Sequence, residues 1–139
     1  MSNTAHLELE SLEQGLRFSF TAGSGQRSQL DSGEGMQAPS PTETLLAALG
    51  ACHAMDVISI LRKKRQRVTA YAVDVTGERR KEHPKSFTRI EVVHHLRGYD
   101  VSPAAVEEAI RLSETKYCSV HFSLDPKIEM TSRYEIVPA

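Results

Sequence analysis

Tryptophan is absent from this 139-residue chain, and phenylalanine and tyrosine supply only four residues each. A core of this size must then rest on aliphatic side chains, or gain burial from a second subunit. Neither sign of charge dominates: 17 Lys and Arg stand against 18 Asp and Glu, for a net charge of -1. That balance excludes a whole-protein drive toward nucleic acid or an anionic membrane. The opening residues, Met1-Ser2-Asn3-Thr4-Ala5-His6-Leu7-Glu8, carry no basic cap and no apolar run, so no signal peptide is read there. No unbroken apolar run approaches the roughly 18 residues of a membrane-crossing helix. The expected compartment is the cytoplasm.

Cysteine is scarce as well, at two residues. A structural disulfide is disfavoured in a reducing compartment. Cys52 and Cys118 are therefore inert core residues, metal ligands or a working redox pair. They stand too far apart in sequence for a Cys-x-x-Cys redox motif or a zinc knuckle.

What is present describes a folded protein. Hydrophobic residues make up 40% of the chain and charged residues 25%, a composition that builds a core rather than a disordered coil. The length favours one domain over 1–139, with no repeat and no dividing linker. Residues 5–31 read as short strands joined by turns, and the glycines at 33 and 35 mark a loop over 32–39. Ser40, Pro41 and Glu43 form a helix start: an N-cap, a first-turn proline and the acid of a capping box. The helix that follows, to about Lys64, is apolar over most of its circumference and is expected to be buried on most sides. Gly50, with Ala47, Ala48 and Ala51, leaves room for another backbone to approach.

Two long alternating strands follow. Tyr71, Val73 and Val75 share one face of 69–79, and Ile90, Val92, His94 and Leu96 share one face of 86–97. A second helix starts at Ser102-Pro103 and runs to about Lys116, with Val106, Ala109, Ile110 and Ser113 at helical spacing. A last strand covers roughly 127–137. The order is α+β with mainly antiparallel pairing.

Cys52 sits about three turns into the first helix, and Cys118 lies just past the second, at a junction where a side chain has room to move. His53 points about 100° away from Cys52 and is poorly placed as its base. Asp56, one turn on, shares the face of Cys52. It either holds the thiol protonated or bonds a donor on a partner chain. Cys118-x-x-His121 has ligand-like spacing, but one such pair does not make a site, and no metal or cofactor is expected. The basic run Arg62-Lys63-Lys64-Arg65-Gln66-Arg67 falls at a helix C-terminus, where cations complement the dipole, and reads as a solvated helix end rather than a nucleic-acid contact.

Three segments carry a resemblance. Pro41-Thr42-Glu43-Thr44-Leu45-Leu46-Ala47-Ala48-Leu49-Gly50-Ala51-Cys52, followed by Asp56-Val57-Ile58-Ser59-Ile60-Leu61, resembles the first-cysteine helix of the organic hydroperoxide resistance/OsmC superfamily. Glu114-Thr115-Lys116-Tyr117-Cys118-Ser119-Val120 resembles its second-cysteine segment. Gly77-Glu78-Arg79-Arg80, with His83-Pro84 and Phe87-Thr88, is similar to the strand turn of the YhfA-like branch. The likeness runs over nearly the whole chain.

The resemblance implies two central helices wrapped by antiparallel sheets in an intertwined homodimer. It also implies a peroxidase in which Cys52 attacks an organic hydroperoxide and Cys118 resolves the sulfenic acid. A dithiol, such as a lipoyl protein, would recycle the disulfide. Relatives that reduce hydroperoxides carry a glutamate directly after the helix-opening proline, paired with an N-terminal arginine. Thr42 occupies that position here, and the acid falls at Glu43, which we read as a capping residue before an arginine partner. Arg17 and Arg27 are the N-terminal candidates for activating Cys52, with Glu43 and Asp56 in support; Arg79 and Arg80 lie near the turn. The rival expectation is a thiol-bearing binding or sensing protein of the same fold without efficient turnover.

Overall fold

A computed structural model describes all residues from Met1 to Ala139. The chain forms two compact units, Met1–Leu45 and Leu46–Ala139.

The N-terminal unit is an antiparallel meander of β1 (Ala5–Leu9), β2 (Phe18–Ala22) and β3 (Arg27–Leu30). Leu7 pairs with Phe20, and Phe20 with Ser28. The loop after β3 is closed by Asp31, whose carboxylate accepts the N–H of Ser32 at 2.7 Å and of Gln37 at 2.9 Å. Those backbone donors hold the Asp31 carboxyl below its ordinary range. The loop delivers Ser40 to the start of α1 (Pro41–Lys63). The capping box forms: Ser40 N–H donates to Glu43 Oε1 at 3.0 Å, and Glu43 N–H donates to Ser40 Oγ at 3.2 Å.

The C-terminal unit packs helices on a sheet of order β4-β5-β6, formed by β4 (Arg67–Arg79), β5 (Phe87–Tyr99) and β6 (Glu129–Pro138). The expected faces are the observed ones. Ile90, Val92, His94 and Leu96 are buried, and Val73, Val75 and Tyr71 alternate with exposed neighbours. One pairing departs from the antiparallel expectation: β5 and β6 run parallel, with Val92 opposite Ser132. The cause is the connection, because a helical crossover brings the chain back to the same end of the sheet. That crossover holds α2 (Pro103–Leu112), a π-helical turn at Ser113–Tyr117 and a short helix, α3 (Ser119–Ser123). Ser102 caps α2, its Oγ accepting the Ala105 N–H at 3.2 Å.

The core joins Val57 and Leu61 of α1 to Leu96 of β5 and to Val106, Ala109 and Ile110 of α2. Gly50 is where α1 meets the sheet. A Cβ added there would stand 2.6 Å from Val75 Cγ2, so its close approach is to β4 of the same chain. Within one chain α1 is buried along one face only. Leu49, Gly50, His53, Val57 and Leu61 are buried, but Ala47, Ala48, Ala51 and Ser59 are exposed and Met55 is 69% exposed. Within this unit the sheet and α2 cover only one side of the helix. By length and composition alone α1 is long and apolar enough to cross a membrane. Here it serves as the core helix of the C-terminal unit. The basic run is exposed apart from Gln66, and Lys64 pairs with Glu108 at 2.8 Å.

Candidate active site at Cys52 and Cys118

Helical spacing alone sets half of this site. Cys52 and Asp56 are one turn apart on α1 and so share a face. Cys118 arrives from the crossover. The π turn lets its N–H bond back to Ser113 O at 2.9 Å, and Cys118 then serves as N-cap of α3, its Sγ accepting the His121 N–H at 3.3 Å. The outcome is convergence: Cys52 Sγ, a carboxylate oxygen of Asp56 and Cys118 Sγ all lie within 4.8 Å of one another. Both cysteines are free thiols; Cys52 is half-buried and Cys118 fully buried. Burial pushes the Cys118 thiol up, and the neighbouring Cys52 and Asp56 add to the shift against the opposing His121 N–H. Cys118 is thereby kept protonated, and Cys52 is the less buried of the two.

Behind the sulfurs lies a polar network. Ser113 Oγ donates to Asp56 Oδ2 at 2.8 Å and sits 3.4 Å from His53 Nδ1. His53 Nε2 is 3.1 Å from His121 Nδ1. Burial, and then the His121 ring, hold the His53 imidazole below its ordinary pKa and so favour its neutral form. A neutral ring donates from one nitrogen only. Ser113 has already used its proton on Asp56, which assigns His53 Nδ1–H as donor to Ser113 and His121 Nδ1–H as donor to His53.

Within its own chain Asp56 finds a donor in Ser113 Oγ. His53 points away from Cys52, as helical geometry requires, into this network. Neither Ser113 nor His121 was singled out from sequence for this role. The available signal was Ser113, a polar residue that continues the buried stripe of Val106, Ala109 and Ile110 just past the end of α2.

The other candidates lie in the N-terminal unit. Arg17 pairs with Glu10 and donates to Gln37 at 2.6 Å. Arg27 opens β3 and lines a groove with Ser28, Gln29 and Gln37. Glu43 spends its carboxylate on the Ser40 N–H, which holds its carboxyl below the ordinary range, and so acts as the capping residue it was read to be.

Known proteins share the sequence and the fold. A model of the OsmC-like protein family matches residues 32–133. Protein YhfA of Escherichia coli is 44% identical over 126 residues, covering 91% of this chain and 94% of that protein. A crystal structure of a hypothetical protein from Aquifex aeolicus superposes with a TM-score of 0.86 at 31% identity, covering 100% of this chain and 98% of that one. An organic hydroperoxide resistance protein from Elizabethkingia anophelis superposes with a TM-score of 0.68 at 12% identity, covering 99% and 97%, a likeness of fold alone.

Proposed function

The chain belongs to the OsmC-like family, and on that premise we propose that it is a thiol-dependent peroxidase that reduces organic hydroperoxides through Cys52 and Cys118. One observation carries the reading: two free thiols within 4.8 Å in one chain, one half-buried and the other buried. The Cys52 thiolate attacks the terminal oxygen of the hydroperoxide. An S–O bond forms, the O–O bond breaks, and the alkoxide leaves with a proton as the alcohol. Cys118 then attacks the Cys52 sulfenic acid; an S–S bond of about 2.05 Å forms and water leaves. A dithiol, of the lipoyl class, reduces that disulfide and is itself oxidised to a disulfide. The cycle needs no cofactor, and its two free thiols suit the reducing cytoplasm, where we place it.

Two further features belong to the proposal. The exposed apolar stripe of Ala47, Ala51 and Met55 on α1 supports a homodimer in which a second copy covers the helix, so that the 139 residues act as one functional domain within the pair. Arg17 and Arg27 remain the candidates for activating Cys52, and Arg17→Ala and Arg27→Ala, compared by the rate of Cys52 oxidation, separate them. The test of the whole reading is consumption of cumene hydroperoxide with dihydrolipoamide as reductant. Catalytic turnover that requires both cysteines is expected. Oxidation of the protein without turnover contradicts it.

A second reading has a specific observation in its favour. Thr42 stands where hydroperoxide-reducing relatives place the arginine-binding glutamate, and Glu43 is committed to the helix cap. A thiol-bearing binding or sensing protein would show stoichiometric oxidation of Cys52 and no sustained turnover in the same assay.

A further inference from the structure

The redox cycle uses two sulfurs and leaves Asp56 unexplained. A carboxylate within 4.8 Å of both thiols is a handicap to a reactive thiolate, because it opposes a second negative charge. The same three atoms are an asset to a cation. Two thiolates and a carboxylate that converge from α1 and from the N-cap of α3 are borderline-soft donors, matched to zinc-class ions rather than to magnesium or calcium.

We propose that the reduced protein binds one thiophilic divalent cation per chain through Cys52 Sγ, Asp56 and Cys118 Sγ, and that the bound ion shields the thiols from oxidation. Three protein ligands leave a fourth, tetrahedral position for water. Contacts beyond the ligands are those such a site needs. Ser113 Oγ holds Asp56 Oδ2 at 2.8 Å and the His121 N–H meets Cys118 Sγ at 3.3 Å, so two of the three ligands are oriented before an ion arrives. The binding step balances simply: the ion enters, two thiol protons leave to solvent, and nothing is oxidised or reduced. Three ligand charges against a dication leave the site at minus one, so the cost of a bare buried Cys118 thiolate is relieved by the ion. Oxidation to the Cys52–Cys118 disulfide removes two ligands at once and releases the ion. Metal occupancy and the redox cycle are then mutually exclusive states of one site.

The test uses the full chain, reduced and freed of metal with a chelator, and titrated with Co²⁺ as a spectroscopic probe. One equivalent per chain should give a thiolate-to-cobalt charge-transfer band and the intense visible absorption of tetrahedral cobalt, both lost when Zn²⁺ is added. Asp56→Asn should weaken binding by about tenfold or more. Saturating Zn²⁺ should slow alkylation of Cys52. Cys118→Ser should lose most of the charge-transfer intensity; should it fail to fold, the disulfide form of the unaltered chain carries the same test, since it must bind no cobalt. Absence of the charge-transfer band, equal affinity in Asp56→Asn, or binding by the disulfide form would each overturn the proposal. Peroxide turnover measured with chelator present reports on the redox reading alone, so the two fail separately.

Discussion

Cys118 Sγ lies within 4.8 Å of Cys52 Sγ, yet the two sulfurs differ in access: Cys52 is half-buried and Cys118 is sealed, with its thiol pushed up by burial. In the proposed peroxidase cycle this asymmetry makes Cys52 the first sulfur to react and Cys118 the second. Cys52→Ser should leave a protein that does not react with hydroperoxide, because Cys118 offers neither exposure nor a thiolate. Cys118→Ser should still react once and accumulate the Cys52 sulfenic acid, trapped by dimedone and read by intact mass. Turnover should fall at least about 100-fold in either variant, roughly 2.7 kcal/mol at the barrier. Equal first-step reactivity in the two variants would remove the assignment.

Gly50 and Val75 set how closely α1 approaches β4. Gly50→Ala adds a methyl group 2.6 Å from Val75 Cγ2, on a β-branched side chain with little rotamer freedom. Overpacking costs about 1–3 kcal/mol, against at most about 1 kcal/mol gained in helix propensity. A net loss of about 1 kcal/mol, a few degrees in Tm, is expected by thermal denaturation. Val75→Ala in the same chain should recover part of it; full additivity of the two changes would contradict the contact.

His94 and His95 are neighbours on β5 with opposite titrations. His94 faces inward, with Nδ1 2.6 Å from Tyr71 Oη and Nε2 lacking a partner, and burial pushes its pKa down to about 4. His95 faces outward between Glu135 at 2.7 Å and Asp74 at 2.8 Å, bridging three strands, and those carboxylates raise it above its ordinary 6.5. The signs follow from linkage. A depressed histidine stabilises above its unfolded value of about 6.5 and progressively loses that contribution as pH falls toward 4. A raised one stabilises below about 6.5 and loses its contribution as pH rises through its folded value. The melting temperature lost in His95→Gln should therefore be larger at mildly acidic than at alkaline pH. A loss independent of pH would show that the charge does not matter.

Met55 is 69% exposed on the stripe with Ala47 and Ala51. Met55→Glu would place a charge where the proposed dimer buries apolar surface. Light scattering at micromolar concentration should report a dimer for the unaltered chain and a shift toward monomer for the variant. A monomer from the outset would end the dimer proposal.

Local signals were legible in the sequence. Ser40 and Glu43 announced their reciprocal cap, Ser102 its helix start, and the alternation in 86–97 its buried face. These features depend on residues close together in the chain. What escaped depends on distant ones. Parallel pairing of β5 with β6 follows from where the crossover lands, and no strand pattern encodes it. The π turn and α3 replace the end of a helix expected to reach about Lys116, because Ser113 and Cys118 are drawn toward Asp56 and Cys52 on α1. The Ser113–His53–His121 network likewise joins three segments that only the fold brings together. The apolar circumference of α1 signalled that more must cover it than one chain supplies, but apolar periodicity does not say which surface does so.

Peptide mapping after one equivalent of cumene hydroperoxide tests whether Cys52 and Cys118 form a peroxide-driven pair within one chain. The expected product is a Cys52–Cys118 disulfide-linked peptide, with denatured, non-reduced protein still at the mass of a single chain. Recovery of Cys52 as sulfinic acid with Cys118 untouched, or a disulfide between two chains, would contradict it.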